Sequence, residues 1–262
     1  MCDTCECSDP KQGFTISSPK ENGNQIKVEE KEGHSHGHGH GHGNEHSHGH
    51  AETIELGTTV LNQNKLVAER NRGYFQAKNI RAFNLVSSPG SGKTTLLEVL
   101  IKASDTKNGI YVIEGDQQTL NDAQRIENAG AAAIQINTGN GCHLDAEMVN
   151  QAVKSLAPAE NSLLFIENVG NLVCPALFDL GERSRIVIVS VTEGDDKPLK
   201  YPNMFETSQL CIISKTDLLP YVSFNVQQFK ENALRINHHL DFLEVSATKK
   251  LGLAEVLKWI SV

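Results

Sequence analysis

Ser87-Ser88-Pro89-Gly90-Ser91-Gly92-Lys93-Thr94-Thr95 is the stretch from which the rest of the chain can be read. It follows the apolar run Phe83-Asn84-Leu85-Val86 and opens a helical pattern over 96–102, the strand–loop–helix setting of a Walker A loop. Gly90 and Gly92 allow the backbone angles that turn successive N–H groups towards phosphate oxygens. The following helix adds its positive N-terminal end. Lys93 is expected to reach the β- and γ-phosphates and Thr94 to ligate Mg²⁺, with Ser91 and Thr95 completing the cradle. Ser87 stands where the usual pattern has its first glycine.

Around this loop, β-rich runs at 82–87, 110–114, 132–136, 163–167, 185–191, 209–214 and 242–245 alternate with helical patterns. A further helix is expected over 59–77 and another at the end of the chain. Continuous apolar strands separated by helices imply an α/β fold, a doubly wound, mostly parallel sheet covered on both faces. Residues 56–262 are read as this domain. Residues 1–55 are dominated by Gly, Ser, Glu, Lys, Asn and His with few large apolar side chains. Such a segment buries too little surface to offset its ordering entropy, so it is expected to be a disordered metal-binding segment.

The net charge of −8 argues against non-specific nucleic-acid binding. No apolar run approaches the roughly 20 residues that cross a bilayer, and the start MCDTCECSDPK lacks the apolar stretch of a secretory signal. A cytoplasmic protein is expected, with no membrane insertion. Its six cysteines are then read as thiols.

Downstream, Ile212-Ile213-Ser214-Lys215-Thr216-Asp217 resembles the Asn-Lys-x-Asp guanine motif, with Ser214 in place of Asn. Asp217 would accept hydrogen bonds from guanine N1–H and its amino group, and Lys215 would lie along the base. Val245-Ser246-Ala247-Thr248 resembles the loop that touches the guanine carbonyl. The order and spacing favour GTP over ATP. On the Mg²⁺ side, Leu164-Phe165-Ile166-Glu167 reads as a Walker B strand, with Glu167 holding the ion directly or through water. Asp116 is the other candidate, with Asp122 behind it and a helix-capping role as the plain alternative for Asp116. No residue can be named that orients the attacking water.

Three groups of soft donors stand out. Cys2, Cys5 and Cys7 form C-x-x-C-x-C, able to wrap one soft or borderline ion, and the Met1 amine could complete a plane of the kind Ni²⁺ favours. His34, His36, His38, His40, His42, His46, His48 and His50 form a low-complexity tract of weak, exchangeable sites that suit Ni, Zn, Cu and Co alike. Cys142, His143 and Cys174 lie in two loops that leave the carboxyl ends of strands, where doubly wound folds bind ligands. The alternative is a buried Cys174 and an exposed His143. Cys211 is read as core, His238 and His239 as surface. The 48 residues between Cys7 and Leu56, 8 to 55, would span about 35–40 Å as a flexible coil.

Taken together, the N-terminal cysteines and the motifs SSPGSGKTT, VIEGDQQT, NTGNGCHLDA, LLFIENVGNLVCPA and SKTDLLPY resemble the hydrogenase nickel-incorporation GTPases of the HypB family. The resemblance runs from about Leu56 to Val262. It implies Mg²⁺-dependent hydrolysis of GTP to GDP and phosphate, homodimerisation on GTP binding, and delivery of Ni²⁺ to the [NiFe]-hydrogenase large-subunit precursor. It also implies work alongside a zinc-containing HypA-type chaperone, so GTP, Mg²⁺, Ni²⁺ and Zn²⁺ are the expected ligands. Carried over by position, Cys2, Cys5 and Cys7 resemble the family's tight nickel site, although Glu6 stands where Gly is common. Cys142, His143 and Cys174 resemble its G-domain site, and the His tract resembles a nickel store. Two other readings are a urease-type nickel chaperone GTPase, which carries Cys-Pro-His where this chain has Cys174-Pro175-Ala176, and a non-catalytic nickel storage or sensor protein.

Overall fold

The computed structural model describes residues 14–19, 25–27, 49–106, 109–116, 121–139 and 141–261. In chain order the strands are β1 (Thr15–Ser17), β2 (Gln25–Lys27), β3 (Arg81–Ser87), β4 (Ile110–Asp116), β5 (Ala132–Asn137), β6 (Leu163–Glu167), β7 (Ser184–Ser190), β8 (Leu210–Ser214) and β9 (Asp241–Glu244). The helices are α1 (Gly49–Ala77), α2 (Lys93–Ala103), α3 (Asn121–Ala129), α4 (Ala146–Leu156), α5 (Lys197–Lys200), α6 (Pro202–Glu206), α7 (Val226–Ile236) and α8 (Leu253–Ser261). Short 3₁₀ turns occupy Cys174–Leu177 and Thr216–Tyr221.

One sheet runs in the order β2-β1-β5-β4-β6-β3-β7-β8-β9. The seven strands from β5 to β9 in this order are parallel, because they are joined by crossovers, helical except for the long loop between β6 and β7, rather than by tight hairpins. Both sheet faces are covered, and alternation along each strand divides the apolar side chains between them. Phe83, Leu85, Val112, Phe165, Ile186 and Ile188 pack with α2, α3 and α8 through Leu97, Ile126 and Val256. On the other face Ala82, Ile113, Ile134, Leu164 and Ile166 pack against α1 and α4 through Phe75, Val149 and Val153. Val86, Val187, Val189 and Ile213 meet α6 and α7 through Phe205 and Phe229. The chain leaves β3 first to one side and then to the other, so the loops after β3, β4, β5 and β6 converge at the carboxyl ends of the strands.

The seven expected strands all form, each within one or two residues of its expected limits. Two further strands were not expected. β1 pairs antiparallel with β5, Thr15 opposite Asn137, and β2 pairs antiparallel with β1. The reason is local: in Phe14-Thr15-Ile16-Ser17, Phe14 and Ile16 are buried in the α1–α4 core, an alternation too short to register against the polar composition around it. α1 also begins earlier than expected, at Gly49 rather than near 59, which puts the backbone of His50 in its first turn. Cys2, Cys5, Cys7 and His34 to His48 lie outside the described residues. None of the described helices is long and apolar enough to cross a membrane.

α1 is fastened by polar side chains as well as by its apolar face. Asn71 donates to the carbonyls of Ala146 and Leu180, and Asn150 donates to Asn71 Oδ1. Asn64 accepts from Ala146 N–H and donates to the Asp179 carbonyl. The loop receiving them passes so close that Gly181, at φ +87°, has no room for a side chain: a Cβ would lie 2.5 Å from the Ala68 carbonyl oxygen. Gly181→Ala therefore combines a strained backbone with a clash against helix backbone. It is expected to cost about 2 kcal/mol or more, lowering the melting temperature by roughly 4–8 °C in a domain of this size. An unchanged melting curve would show that α1 is not packed this tightly.

Candidate functional site

The loop between β3 and α2 wraps the floor of a cavity of about 600 Å³ lined, among others, by Gly90, Gly92, Lys93, Thr94, Thr95, Glu114, Asp116 and Glu167. Gly90 and Gly92 have φ of +73° and +95°, which leaves the first-turn N–H groups of α2 uncapped by any side chain. Lys93 is buried and its Nζ donates to Ser87 Oγ at 2.8 Å. The hydroxyl at the position of the missing glycine thus parks the ammonium at the cavity floor. Burial holds the Lys93 pKa below the ordinary lysine value, with nearby Glu167 and Glu114 opposing.

Thr94 Oγ1 donates to Glu167 Oε1 at 2.8 Å, which joins the Walker A loop to the end of β6. Glu167 is almost fully buried, and its Oε2 has no hydrogen-bond partner among the described residues. Burial raises its pKa, with Lys93 pulling the other way. A hydroxyl and an orphaned carboxylate oxygen side by side form the hard oxygen donor set that Mg²⁺ takes, so these residues fit the ion. Asp116, at the end of β4, and Asp122 line the same cavity. Asp122 is drawn to Arg125 at 2.7 Å, and Arg125 also meets Glu98 and Thr95.

Sequence reasoning passed over two groups here. Glu114 sits opposite Glu167 in the β4–β6 register, buried, with Oε2 unpartnered, whereas the more exposed Asp116 at the strand end attracted the assignment. Asn168, directly after Glu167, is 1% exposed and accepts from both Leu144 N–H and Val169 N–H. A lone polar residue at a strand end carries no pattern that would have marked either one.

The guanine-type motif closes over the same loop from β8. Ser214 Oγ donates to the Ser91 carbonyl and Lys215 Nζ to the Gly90 carbonyl, both at 2.8 Å. Lys215 adopts φ +58° to make the turn. Asp217 accepts from Ser246 Oγ and Thr248 Oγ1, on either side of Ala247, and the Ser246 bond chiefly holds its carboxyl below the usual range. An anionic acceptor is thereby fixed beside the cavity.

Cys142, His143 and Cys174 are brought together: one ligand atom from each lies within 4.8 Å of the other two, the single such group of three among the described residues. All three are half-buried. His143 is therefore not exposed nor Cys174 buried away, the alternative left open by sequence. His143 stacks on Phe178 with centroids 4.0 Å apart, and burial pushes its pKa down to about 4, leaving a neutral imidazole at physiological pH. Cys142 also lines the 600 Å³ cavity, and Asn171 Nδ2 donates to its carbonyl. Cys211 is buried within β8 and His238 and His239 are exposed, as expected.

Glu114 supplies a test of this electrostatic picture. Burial, with the neighbouring carboxylates, raises its pKa from 4.5 to about 9. The folded chain holds that proton where the unfolded chain has lost it, so stability falls as pH rises from 4.5 to 9. At pH 7 this amounts to about 3 kcal/mol. Glu114→Gln should raise the melting temperature of nucleotide-free protein at pH 7 to 8, with the gain vanishing towards pH 4.5. Melting curves that stay parallel across that range would contradict the assignment.

Residues 81–244 match the family "CobW/HypB/UreG, nucleotide-binding domain". The chain is 54% identical over 209 residues to the hydrogenase maturation factor HypB of Rhizobium leguminosarum bv. viciae, covering 80% of this chain and 70% of that one. It is 51% identical over 208 residues to the same factor of Escherichia coli K12, covering 79% and 71%. Its fold is similar to the crystal structure of HypB from Helicobacter pylori in complex with nickel, with a TM-score of 0.70 at 38% identity over 76% of this chain and 94% of that one. With the Walker A loop, the Ser-Lys-x-Asp strand end and the Cys-His and Cys loops in one cavity region, and with relatives this close along most of their length, the chain belongs to the HypB hydrogenase maturation factors.

Proposed function

We propose that this protein is a GTPase that carries nickel to the large-subunit precursor of a [NiFe]-hydrogenase, hydrolysing GTP to GDP and phosphate. The observation that carries the reading is the double membership of Cys142, which belongs both to the Cys142–His143–Cys174 group and to the cavity wall shared with Lys93 and Thr94. Occupancy of one can therefore alter the shape of the other.

On the nucleotide side, the backbone N–H groups around Gly90, Ser91 and Gly92 orient the phosphates, and Lys93 carries positive charge to the β–γ bridge. Thr94 and Glu167, with Asp116 nearby, would hold Mg²⁺, which neutralises the charge on the phosphates when bound. Asp217 and Lys215 select guanine, with Ser246 and Ala247 closing the base pocket. On the metal side, two thiols and a neutral imidazole suit a borderline ion, Ni²⁺ or Zn²⁺. The nickel in the Helicobacter pylori HypB crystal structure supports the choice of nickel. Cys2, Cys5 and Cys7 would take up the ion and the His tract, His34 to His50, would store it. A homodimer formed on GTP binding, a HypA-type chaperone and a cytoplasmic location complete the proposal.

Cys142→Ala is expected to weaken the dependence of GTP turnover on added Ni²⁺ while leaving metal-free turnover in place. Nickel titrations of turnover that superimpose on the wild type would remove the proposed link. Lys93→Ala should abolish GTP hydrolysis, checked by phosphate release, and leave nickel bound at residues 2–7, checked by equilibrium dialysis. Loss of both together would show that the two parts are one unit, against the proposal.

A further inference from the structure

A chain of buried polar side chains runs beneath the metal-candidate loops and ends at the nucleotide cavity. It begins at Asn168, the residue after Glu167. Its Oδ1 accepts from the N–H of Leu144, immediately after His143, at 3.0 Å. Its Nδ2 donates to Asn84 Oδ1 at 3.3 Å. Asn84, wholly buried in β3, donates in turn to Glu182 Oε1 at 3.1 Å. Glu182 is paired with Arg185 at 3.2 Å and accepts from Leu180 N–H. Arg185 then donates to the carbonyls of Ala176 and Phe178, which follow Cys174 by two and four residues. Phe178 is the ring on which His143 stacks.

Asn84, Asn168, Glu182 and Arg185 are all less than 9% exposed. Buried polar groups in a connected network hold one another to a narrow set of geometries, because a partner lost without water to replace it leaves an unsatisfied group. The network grips both loops that carry Cys142, His143 and Cys174. Its first member is bonded through the backbone to the residue that meets Thr94. A shift at the end of β6 is transmitted to Leu144 N–H by one side chain and to the Cys174 segment by three more.

We propose that Asn168 is the positioning residue that makes the metal affinity of Cys142, His143 and Cys174 depend on the bound nucleotide, acting on the second loop through Asn84, Glu182 and Arg185. The proposal rests on the metal reading given under Proposed function. It adds which side chain does the coupling. Without that amide, the buried side-chain link between the metal loop and the end of β6 is lost, and the bond from Asn171 to the Cys142 carbonyl does not replace its path to Asn84.

The test uses the full chain with Cys2, Cys5 and Cys7 replaced by serine, so that only the domain site binds tightly. Ni²⁺ affinity is measured with GDP and with a non-hydrolysable GTP analogue. In this background the two affinities should differ by roughly 5-fold or more, the usual range for coupled sites. Asn168→Ala should bring the ratio to within about 2-fold of unity with nickel still bound. Because that variant strips three buried partners, Leu144 N–H, Val169 N–H and Asn84, and can fail to fold, Asn84→Ala is measured beside it. It cuts the link outside the nucleotide cavity, and should lower the ratio while GDP affinity stays unchanged. A ratio that survives in the folded variants, or that is already unity in the parent, overturns the proposal. No nickel bound in the parent, or full binding after Cys142→Ser, overturns instead the metal reading beneath it.

Discussion

Thr94 and Glu167 meet through a single hydrogen bond of 2.8 Å, and that contact joins the first turn of α2 to the end of β6. β3 delivers the phosphate loop and β6 delivers the carboxylate, and they are neighbours in the parallel ladder, Leu85 opposite Glu167. Around them sit a buried lysine and two buried carboxyls, Glu114 and Glu167. Each is pushed towards its neutral form chiefly by loss of solvent. A cavity assembled this way is unfavourable by itself, and a polyanion with a divalent cation would offset that by supplying the partners the side chains lack.

The same constraint explains why the thiols are where they are. The loops after β4, β5 and β6 all emerge at the carboxyl edge of the sheet, because parallel strands with right-handed crossovers permit no other arrangement. The 137–143 loop and the 168–178 segment must pass one another there. Asn171 bridges them at the surface by donating to the Cys142 carbonyl, and Gly170 passes so near the phosphate loop that a Cβ would lie 3.0 Å from Pro89 Cα. The Cys142–His143–Cys174 group, the phosphate loop and the Walker B strand share one crowded corner of the fold.

Much of this was legible in the chain. Strands buried on both faces write themselves as continuous Val, Ile and Leu runs, and Gly90 and Gly92 of the phosphate loop answer a backbone demand that few other residues meet. Cys142, His143 and Cys174 could be paired because both loops follow strands whose ends must converge. Other features left no trace. The depth of Glu114 depends on β5 and β6, which flank β4 but are distant in sequence, and a glutamate near a strand end reads as solvent-facing. Asn84 and Asn168 form their network across 84 positions of chain, and isolated asparagines have no periodicity to betray it. β1 is three residues long, and it is ordered by the exposed edge of β5 rather than by any propensity of its own.

That short strand bears on how far the N-terminal cysteines proposed to take up metal can lie from the domain thiols. With β1 lying along β5, Thr15 stands opposite Asn137, where the loop bearing Cys142 begins. Only residues 8–14 then separate Cys7 from the sheet, in place of the 48-residue span reckoned from Leu56. Eight Cα-to-Cα steps of at most ~3.6 Å reach no more than about 30 Å from Thr15, which itself lies beside the end of β5. For sites joined by so short a link, effective concentration is of millimolar order. Were both thiol groups to hold metal, exchange within one chain would outpace exchange between chains at ordinary protein concentrations, and the strand that would permit it is itself held by Phe14 and Ile16 in the α1–α4 core.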